Sequence, residues 1–143
     1  MNQYETRELC NAFFDAYENG RLDVLERVLA DDCIISHNVF GRETTKQDNL
    51  TKYPDSYVGQ RRRTYNDRIV NTFDDGFVIQ YTLNGVQYTL NGVMHTGHKG
   101  ALWICIVARC RDGRITRIDE YMDSSKFAAW TGPPRRAADG GPR

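Results

Sequence analysis

Near the start of the chain, apolar residues recur at three- and four-residue steps: Tyr4, Leu9, Cys10, Phe13, Phe14 and Tyr17. That period draws one apolar stripe along a helix. Asn19-Gly20 ends it, because glycine reaches the left-handed conformation that closes a helix. Leu22, Leu25, Val28 and Leu29 predict a second, short helix, with Asp23 and Glu26 on its wet side and Ala30-Asp31-Asp32 closing it. Residues 33–40 then read as a first strand, with His37 and Asn38 at its far end. Gly41-Arg42-Glu43 turns the chain. A third helix is expected from Thr44 to Lys52, capped by Thr44 or Thr45 and stopped before Pro54, which cannot continue a helix. Tyr53 and Tyr57 lie close enough in sequence to wall a cavity.

From Arg63 onward the pattern is that of strands. Residues 64–73 form one, Asp74-Asp75-Gly76 turns it, and residues 77–83 return. Gln80-Tyr81-Thr82-Leu83-Asn84-Gly85-Val86 is followed at once by the same seven residues, Gln87 to Val93. Such an identity reads as a tandem duplication in the coding sequence. Seven is odd, so simple extension of the strand would turn every later side chain to the opposite face. A bulge or a loop-out must restore register, and Asn84-Gly85 and Asn91-Gly92 each suit a tight turn, so one copy can fold back as a small extra hairpin. Two short copies cannot stack a solenoid core.

Residues 101–110 are apolar on both faces, which predicts a central strand covered on both sides. Asp112-Gly113 is a two-residue hairpin signal, and it opens the last strand. Thr116, Ile118, Glu120 and Met122 share one face of that strand; Ile115, Arg117, Asp119, Tyr121 and Asp123 share the other. Glu120 thus stands between Ile118 and Met122. Under cover, such a carboxylate is a candidate proton donor or acceptor; uncovered, Asp119, Glu120 and Asp123 are solvated acids at a strand end. Residues 124–130 are expected to form a short helix placing Phe127 and Trp130, and residues 131–143 a loose, flexible C-terminal tail.

Helices first, then one hairpin-rich sheet, define an α+β layout: N-terminal helices packed in a strongly curved antiparallel sheet, a cone-shaped barrel with an apolar interior and one open end. The chain of 143 residues fits a single domain, residues 1–130, ahead of the tail. Its formal net charge is zero, so no nucleic acid and no membrane surface is expected as partner. No apolar run is long enough to span a bilayer, and the polar start lacks the apolar core of a signal peptide. Cys10, Cys33, Cys105 and Cys110 match no zinc spacing and read as reduced core thiols of a cytoplasmic protein. His37, His95 and His98 are too scattered for a metal site. Arg61-Arg62-Arg63 has no glycine-rich cradle beside it and reads as a solvated strand start.

The order of these elements resembles the SnoaL-like branch of the nuclear-transport-factor-like superfamily, over roughly residues 5 to 130. The motifs that carry the resemblance are the Ala-Asp-Asp-Cys strand, the Gly-Arg-Glu segment, Asp112-Gly113-Arg114-Ile115 and Glu120-Tyr121-Met122-Asp123. Relatives there include ketosteroid isomerase, polyketide cyclases, limonene epoxide hydrolase and scytalone dehydratase. The resemblance implies a cone-shaped fold, a homodimer packed through the sheet, and a deep pocket for a small apolar or aromatic substrate, with no cofactor. Glu120 stands where limonene epoxide hydrolases place a catalytic aspartate. The arginine and second aspartate those hydrolases carry on the middle strand are absent here, where the chain reads Thr82-Leu83-Asn84-Gly85-Val86. His95-Thr96-Gly97 resembles a stretch of the cyclases whose histidine lies in the pocket. The general base of ketosteroid isomerase falls near His37 and Asn38.

Two readings follow. In the first, the chain is a cofactor-independent enzyme doing acid/base chemistry: isomerisation, cyclisation, dehydration or hydrolysis. Glu120 moves a proton, with His95 or His37 as partner. Asn38, Tyr65, Asn66 and Tyr121 polarise a carbonyl or position a water, and Trp103 and Phe127 line the cavity. In the second, the same fold is a non-catalytic small-molecule-binding or dimerisation module, and Glu120 is a satisfied structural acid. An open cavity with a histidine within hydrogen-bond reach of Glu120, directly or through one water, favours the first reading; a bond from Glu120 to Arg117 or Arg109 on the outer surface favours the second.

Overall fold

Asn2 caps the first helix. Its side-chain oxygen accepts from the Glu5 N–H at 2.8 Å, and the Glu5 carboxylate accepts from the Asn2 N–H at 2.9 Å. This reciprocal pair satisfies two N–H groups that a helix start otherwise leaves unpaired. The computed structural model describes residues 1–39, 41–52, 63–86, 89–90, 93–94 and 99–126. In it α1 spans Gln3–Asn19 and buries Leu9, Cys10, Phe13 and Phe14 as the stripe predicts. Tyr4, at the stripe's end, is instead exposed. Gly20 closes α1 at φ 65°, where a β-carbon would be strained.

α2 spans Leu22–Val28, and Leu29 is already extended, so β1 (Leu29–His37) begins without a loop. Ala30-Asp31-Asp32, expected to close α2, belongs to this strand. Thr44 and Thr45 likewise fall in a strand, β2 (Arg42–Thr45), because their backbones pair with Ile35 and Ile34. The third helix, α3, starts one residue later (Lys46–Lys52). Thr45 caps it: its hydroxyl accepts from the Asp48 N–H at 3.1 Å, and the Asp48 carboxylate accepts from the Thr45 N–H at 2.9 Å. Lys46 is buried, yet its ammonium is satisfied. It donates to the Glu26 carbonyl at 2.8 Å and to Asp31 at 3.0 Å, tying α3 to α2 and β1.

The remaining strands are β3 (Arg63–Phe73), β4 (Gly76–Val86), β5 (Thr89–Leu90), β6 (Val93–Met94), β7 (Lys99–Arg111) and β8 (Arg114–Met122). Of the eight described strands, six form one sheet in the order β2-β1-β8-β7-β4-β3. The expected sheet was antiparallel; the observed one is mixed, since β1 runs parallel to β8. Turn signals in a sequence fix only the strands they join, and β1 meets β8 from across the chain. Asp112 and Gly113 turn β7 into β8 with φ of 53° and 77°, the two positive values that the dipeptide predicts.

The doubled segment is resolved by a loop-out. β4 pairs with β7 without a break from Gly76↔Arg109 to Val86↔Lys99, so the first copy lies wholly in the sheet. In the second copy Thr89 and Leu90 pair with Met94 and Val93 as a separate two-stranded piece. Register is preserved because the surplus residues leave at a strand end, where lengthening a loop costs little.

Inside the sheet's curve lie Phe77, Ile79, Tyr81 and Leu83 of β4, Leu102, Ile104, Ile106 and Ala108 of β7, and Ile115 and Ile118 of β8, all buried in one core cluster with residues of α1 and α2. Strict alternation would put Ile115 and Ile118 on opposite faces. They share one because the β7–β8 register shifts: Arg109 pairs with Arg117 but Cys110 pairs with Ile115, which leaves Thr116 as an extra residue. Such bulges also bend the strands they interrupt. β7 is central, as expected, but among the described residues cover lies on one side: Trp103 on its outer face is 77% exposed. Expectations for Tyr53, Tyr57, Arg61, Arg62, His98, Trp130 and the tail 131–143 lie outside the described residues.

Candidate active site

The last paired position of β1 is His37, and it is in register with Glu120 of β8. One step into the sheet, Glu120 pairs with Ile106 of β7, which in turn pairs with Ile79 of β4. Glu120 therefore sits in a cross-strand row whose other members are hydrocarbon on one side and an imidazole on the other. The side chains meet: His37 Nδ1 lies 2.6 Å from Glu120 Oε1. Both are largely sheltered, with 23% of the His37 side chain and 15% of the Glu120 side chain exposed. The second carboxylate oxygen accepts a hydrogen bond from the Tyr81 hydroxyl at 3.3 Å.

Tyr81 is 2% exposed and reaches Glu120 from the neighbouring row, where it pairs with Ile104 and, through it, Met122. Its ring is fixed by Phe14 and Tyr65, with centroids 5.0 and 5.4 Å away. Packing thus decides where its hydroxyl points.

The donor inventory sets what this group can do. An ionised carboxylate only accepts, so an ionised Glu120 requires a proton on His37 Nδ1. In neutral imidazole that tautomer leaves Nε2 as the basic nitrogen. The Tyr81 hydroxyl donates to the same carboxylate. The guanidinium groups named as surface alternatives are engaged elsewhere. Arg117 holds Asp119 and Glu43, and these hydrogen bonds, Asp119's first, keep it firmly protonated. Arg109 holds Asp75 at 2.9 Å.

Other sequence-derived candidates lie differently. Asn38 stands next to the pair, but its carboxamide is bonded to the backbone of Met122. Tyr65 is buried in the aromatic cluster with Phe14 and Tyr81, and its N–H donates to Glu18 at 2.6 Å. Asn66 is exposed and donates to the Thr64 hydroxyl. Trp103 and Tyr121, expected at the cavity, are on the opposite, outer face of the sheet. Strand alternation puts them there, since Trp103 lies between buried Leu102 and Ile104. They border an open groove of about 500 Å³ with Asp67, Ile69 and Cys105. His95 and Phe127 lie outside the described residues. Tyr81 was not among the candidates. Its inward direction was readable from alternation with Phe77 and Ile79; its reach to Glu120 depends on the strand order β4-β7-β8.

The buried thiols of Cys10 and Cys33 and the half-buried one of Cys110 do not add a nucleophile. Burial pushes Cys10 and Cys33 up to about 12 and Cys110 up to about 11, so all three stay protonated near neutrality.

The family described as SnoaL-like domain matches residues 10–118. No curated protein matches the chain. Several solved structures do. A candidate polyketide cyclase from Xanthomonas campestris pv. campestris has a TM-score of 0.76 and 24% identity, over 92% of this chain and 100% of that one. An LEH-like epoxide hydrolase from M. tuberculosis has a TM-score of 0.66 and 16% identity, over 90% of each chain. A protein with a ketosteroid isomerase-like fold from Catenulispora acidiphila, in complex with trimethylamine, has a TM-score of 0.69 and 20% identity, over 96% of this chain and 99% of that one. At such identities the likeness is one of fold.

Proposed function

This chain belongs to the SnoaL-like domain family, and on that footing we propose that it is a cofactor-independent enzyme whose His37–Glu120 pair moves a proton on a small, mostly apolar molecule. The observation that carries this reading is the 2.6 Å contact between His37 Nδ1 and Glu120 Oε1 inside the curve of the sheet. Glu120 holds a proton on Nδ1, which leaves Nε2 as the basic nitrogen of the neutral ring. His37 Nε2 then takes a proton from a C–H or O–H of the substrate, and the imidazolium that forms is balanced by the ionised carboxylate. Returned to a different atom of the same molecule, that proton completes an isomerisation or a cyclisation. Delivered to a leaving oxygen, it completes a dehydration or an epoxide opening. No step needs an oxidant or a reductant. Tyr81 stabilises the carboxylate from the other side, so the negative charge is kept within the pair. Ile106, Ile118 and Met122 around Glu120 favour a substrate of low polarity. The cyclase and hydrolase names of the structural neighbours support the same class of chemistry.

The test is turnover of a panel of enolisable ketones, phenolic polyketide mimics and terpene epoxides by the wild-type chain, Glu120→Gln and His37→Gln. General acid–base catalysis contributes about 10²–10⁴-fold, so either substitution should cost about that much. Equal turnover in wild type and Glu120→Gln sinks the reading.

Self-association is proposed on a separate observation. Ile69, Trp103 and Tyr121 are 57%, 77% and 52% exposed and all lie on the sheet's outer face. A second copy of the chain covering that face would bury an apolar patch of the kind that marks an interface. The free cysteines support a cytoplasmic setting.

A further inference from the structure

The parallel pairing of β1 with β8 stops at His37↔Glu120. Beyond it the chain turns away, and the Gly41 N–H bonds back to the His37 carbonyl at 3.2 Å. β8, however, runs on to Met122. Asn38 fills the edge that β1 has left. Its backbone N–H donates to the Glu120 carbonyl at 3.1 Å. Its carboxamide then meets Met122 twice: Nδ2 donates to the Met122 carbonyl at 2.8 Å, and the Met122 N–H donates to Oδ1 at 3.0 Å. The chemistry fixes which way the amide is turned, because each N–H must face an oxygen. The side chain imitates a peptide group and adds one more rung to a ladder whose backbone has ended.

We infer that Asn38 is a positioning residue, which holds the Glu120 carboxylate against His37 by locking the backbone of β8 on the far side of Glu120. The inference rests on the reading of His37 and Glu120 as the working pair. Glu120 is then bracketed: its own carbonyl is held by the Asn38 N–H, and the residue two positions on is held by the Asn38 side chain. Both amide atoms are committed to Met122, so this residue's part is to aim the carboxylate. Asn38 is exposed, and its removal opens no cavity. Its loss therefore acts on the last rung of β8 and leaves the core packing alone.

Imidazole NMR on the full chain, labelled with ¹⁵N in histidine and assigned with His37→Gln, tests this. A contact of 2.6 Å predicts a downfield Nδ1–H proton for His37 in the wild type. Glu120→Gln should abolish it. Asn38→Ala should lose or broaden the same signal while the circular dichroism spectrum is unchanged. If the wild type lacks the downfield proton, the pair fails and the proposed function with it. If the wild type shows it and Asn38→Ala keeps it at the same shift and intensity, the pair stands and the role of Asn38 is overturned. Should Asn38→Ala not fold, the clamp is read in the wild type, as a scalar coupling across the hydrogen bond from the Met122 N–H to the Asn38 carboxamide. Its presence, together with the downfield proton, supports the inference; its absence overturns it.

Discussion

His37 and Glu120 are partners twice over: their backbones are in register on neighbouring parallel strands, and their side chains meet at 2.6 Å. Because β1 and β8 run the same way, both residues reach the same end of the sheet together. Neither depends on a flexible loop for its position. The Tyr81 hydroxyl meets the other carboxylate oxygen from β4, so three strands contribute one group each. Sites built on regular elements hold their geometry better than sites built on loops.

The doubled segment supplies an internal control for Tyr81. Tyr81 and Tyr88 have the same flanking Gln and Thr in sequence, but the first copy pairs with β7 while the described residues of the second, Thr89, Leu90 and Val93, pair in a separate piece. Tyr81→Phe should remove the 3.3 Å bond to Glu120 and cost about 1 kcal/mol of transition-state stabilisation, near fivefold in rate. Tyr88→Phe should leave rate and stability unchanged. The comparison is made in kcat/KM and melting temperature on the same substrate. An equal loss in the two variants would mean that the copies share the position.

Removing residues 87–93 tests the loop-out directly. The pairing of β4 with β7 is complete at Val86↔Lys99, so the deletion shortens a connection without touching a rung of the six-stranded sheet. Halving a loop changes closure free energy by about 0.6 kcal/mol, and the shortened chain should match the parent to within about 1 kcal/mol in urea denaturation. Collapse of the fold on deletion would show that the second copy carries the register.

Much of this architecture was legible in the residues. The stripe Leu9-Cys10-Phe13-Phe14 gave the buried face of α1, and alternation put Glu120 with Ile118 and Met122. The odd length of the repeat called for a bulge or a loop-out, and the described residues of the second copy do lie outside the six-stranded sheet, in the β5–β6 pair. Long-range pairing was not legible. That β1 lies beside β8, and therefore that His37 meets Glu120, depends on a contact 83 residues apart that no turn signal encodes. The bulge at Thr116 was equally hidden, since the sequence of β8 reads as an unbroken alternation; it is the pairing with β7 that brings Ile115 inward. For β7, apolar residues on both faces predicted cover on both sides. The described chain covers one, and that difference is what argues for a second copy.

Trp103→Glu therefore separates association from folding. Trp103 is 77% exposed, so a charge there meets solvent in the isolated chain, and stability should change by less than about 0.5 kcal/mol. In a sheet-to-sheet dimer the same charge would be trapped in an apolar interface. Light scattering after size exclusion should find a dimer for the parent and a monomer for the variant. A wild-type chain that remains monomeric at its highest workable concentration removes the interface.

Alkaline pH should destabilise the fold through its thiols. Cys10 is fully buried and Cys33 is 1% exposed, and burial pushes both from an ordinary value of 9.0 up to about 12. Between those values the unfolded chain has released protons that the folded chain still holds, so the native state binds more protons and stability falls as pH rises. The contribution is whole below about pH 9 and is lost progressively up to about pH 12, at about 1 kcal/mol per thiol for each pH unit. Urea midpoints measured from pH 7 to 11 should fall from pH 9 onward. Tyrosines and lysines titrate in the same range, so the informative quantity is the difference between the parent and a Cys10→Ala, Cys33→Ala chain, whose decline should be shallower. The same burial should keep both thiols from reacting with a disulfide reagent at pH 8 until the protein unfolds. Parallel pH profiles for the two chains, with prompt labelling of Cys10 in the native state, would mean that α1 does not seal this part of the core.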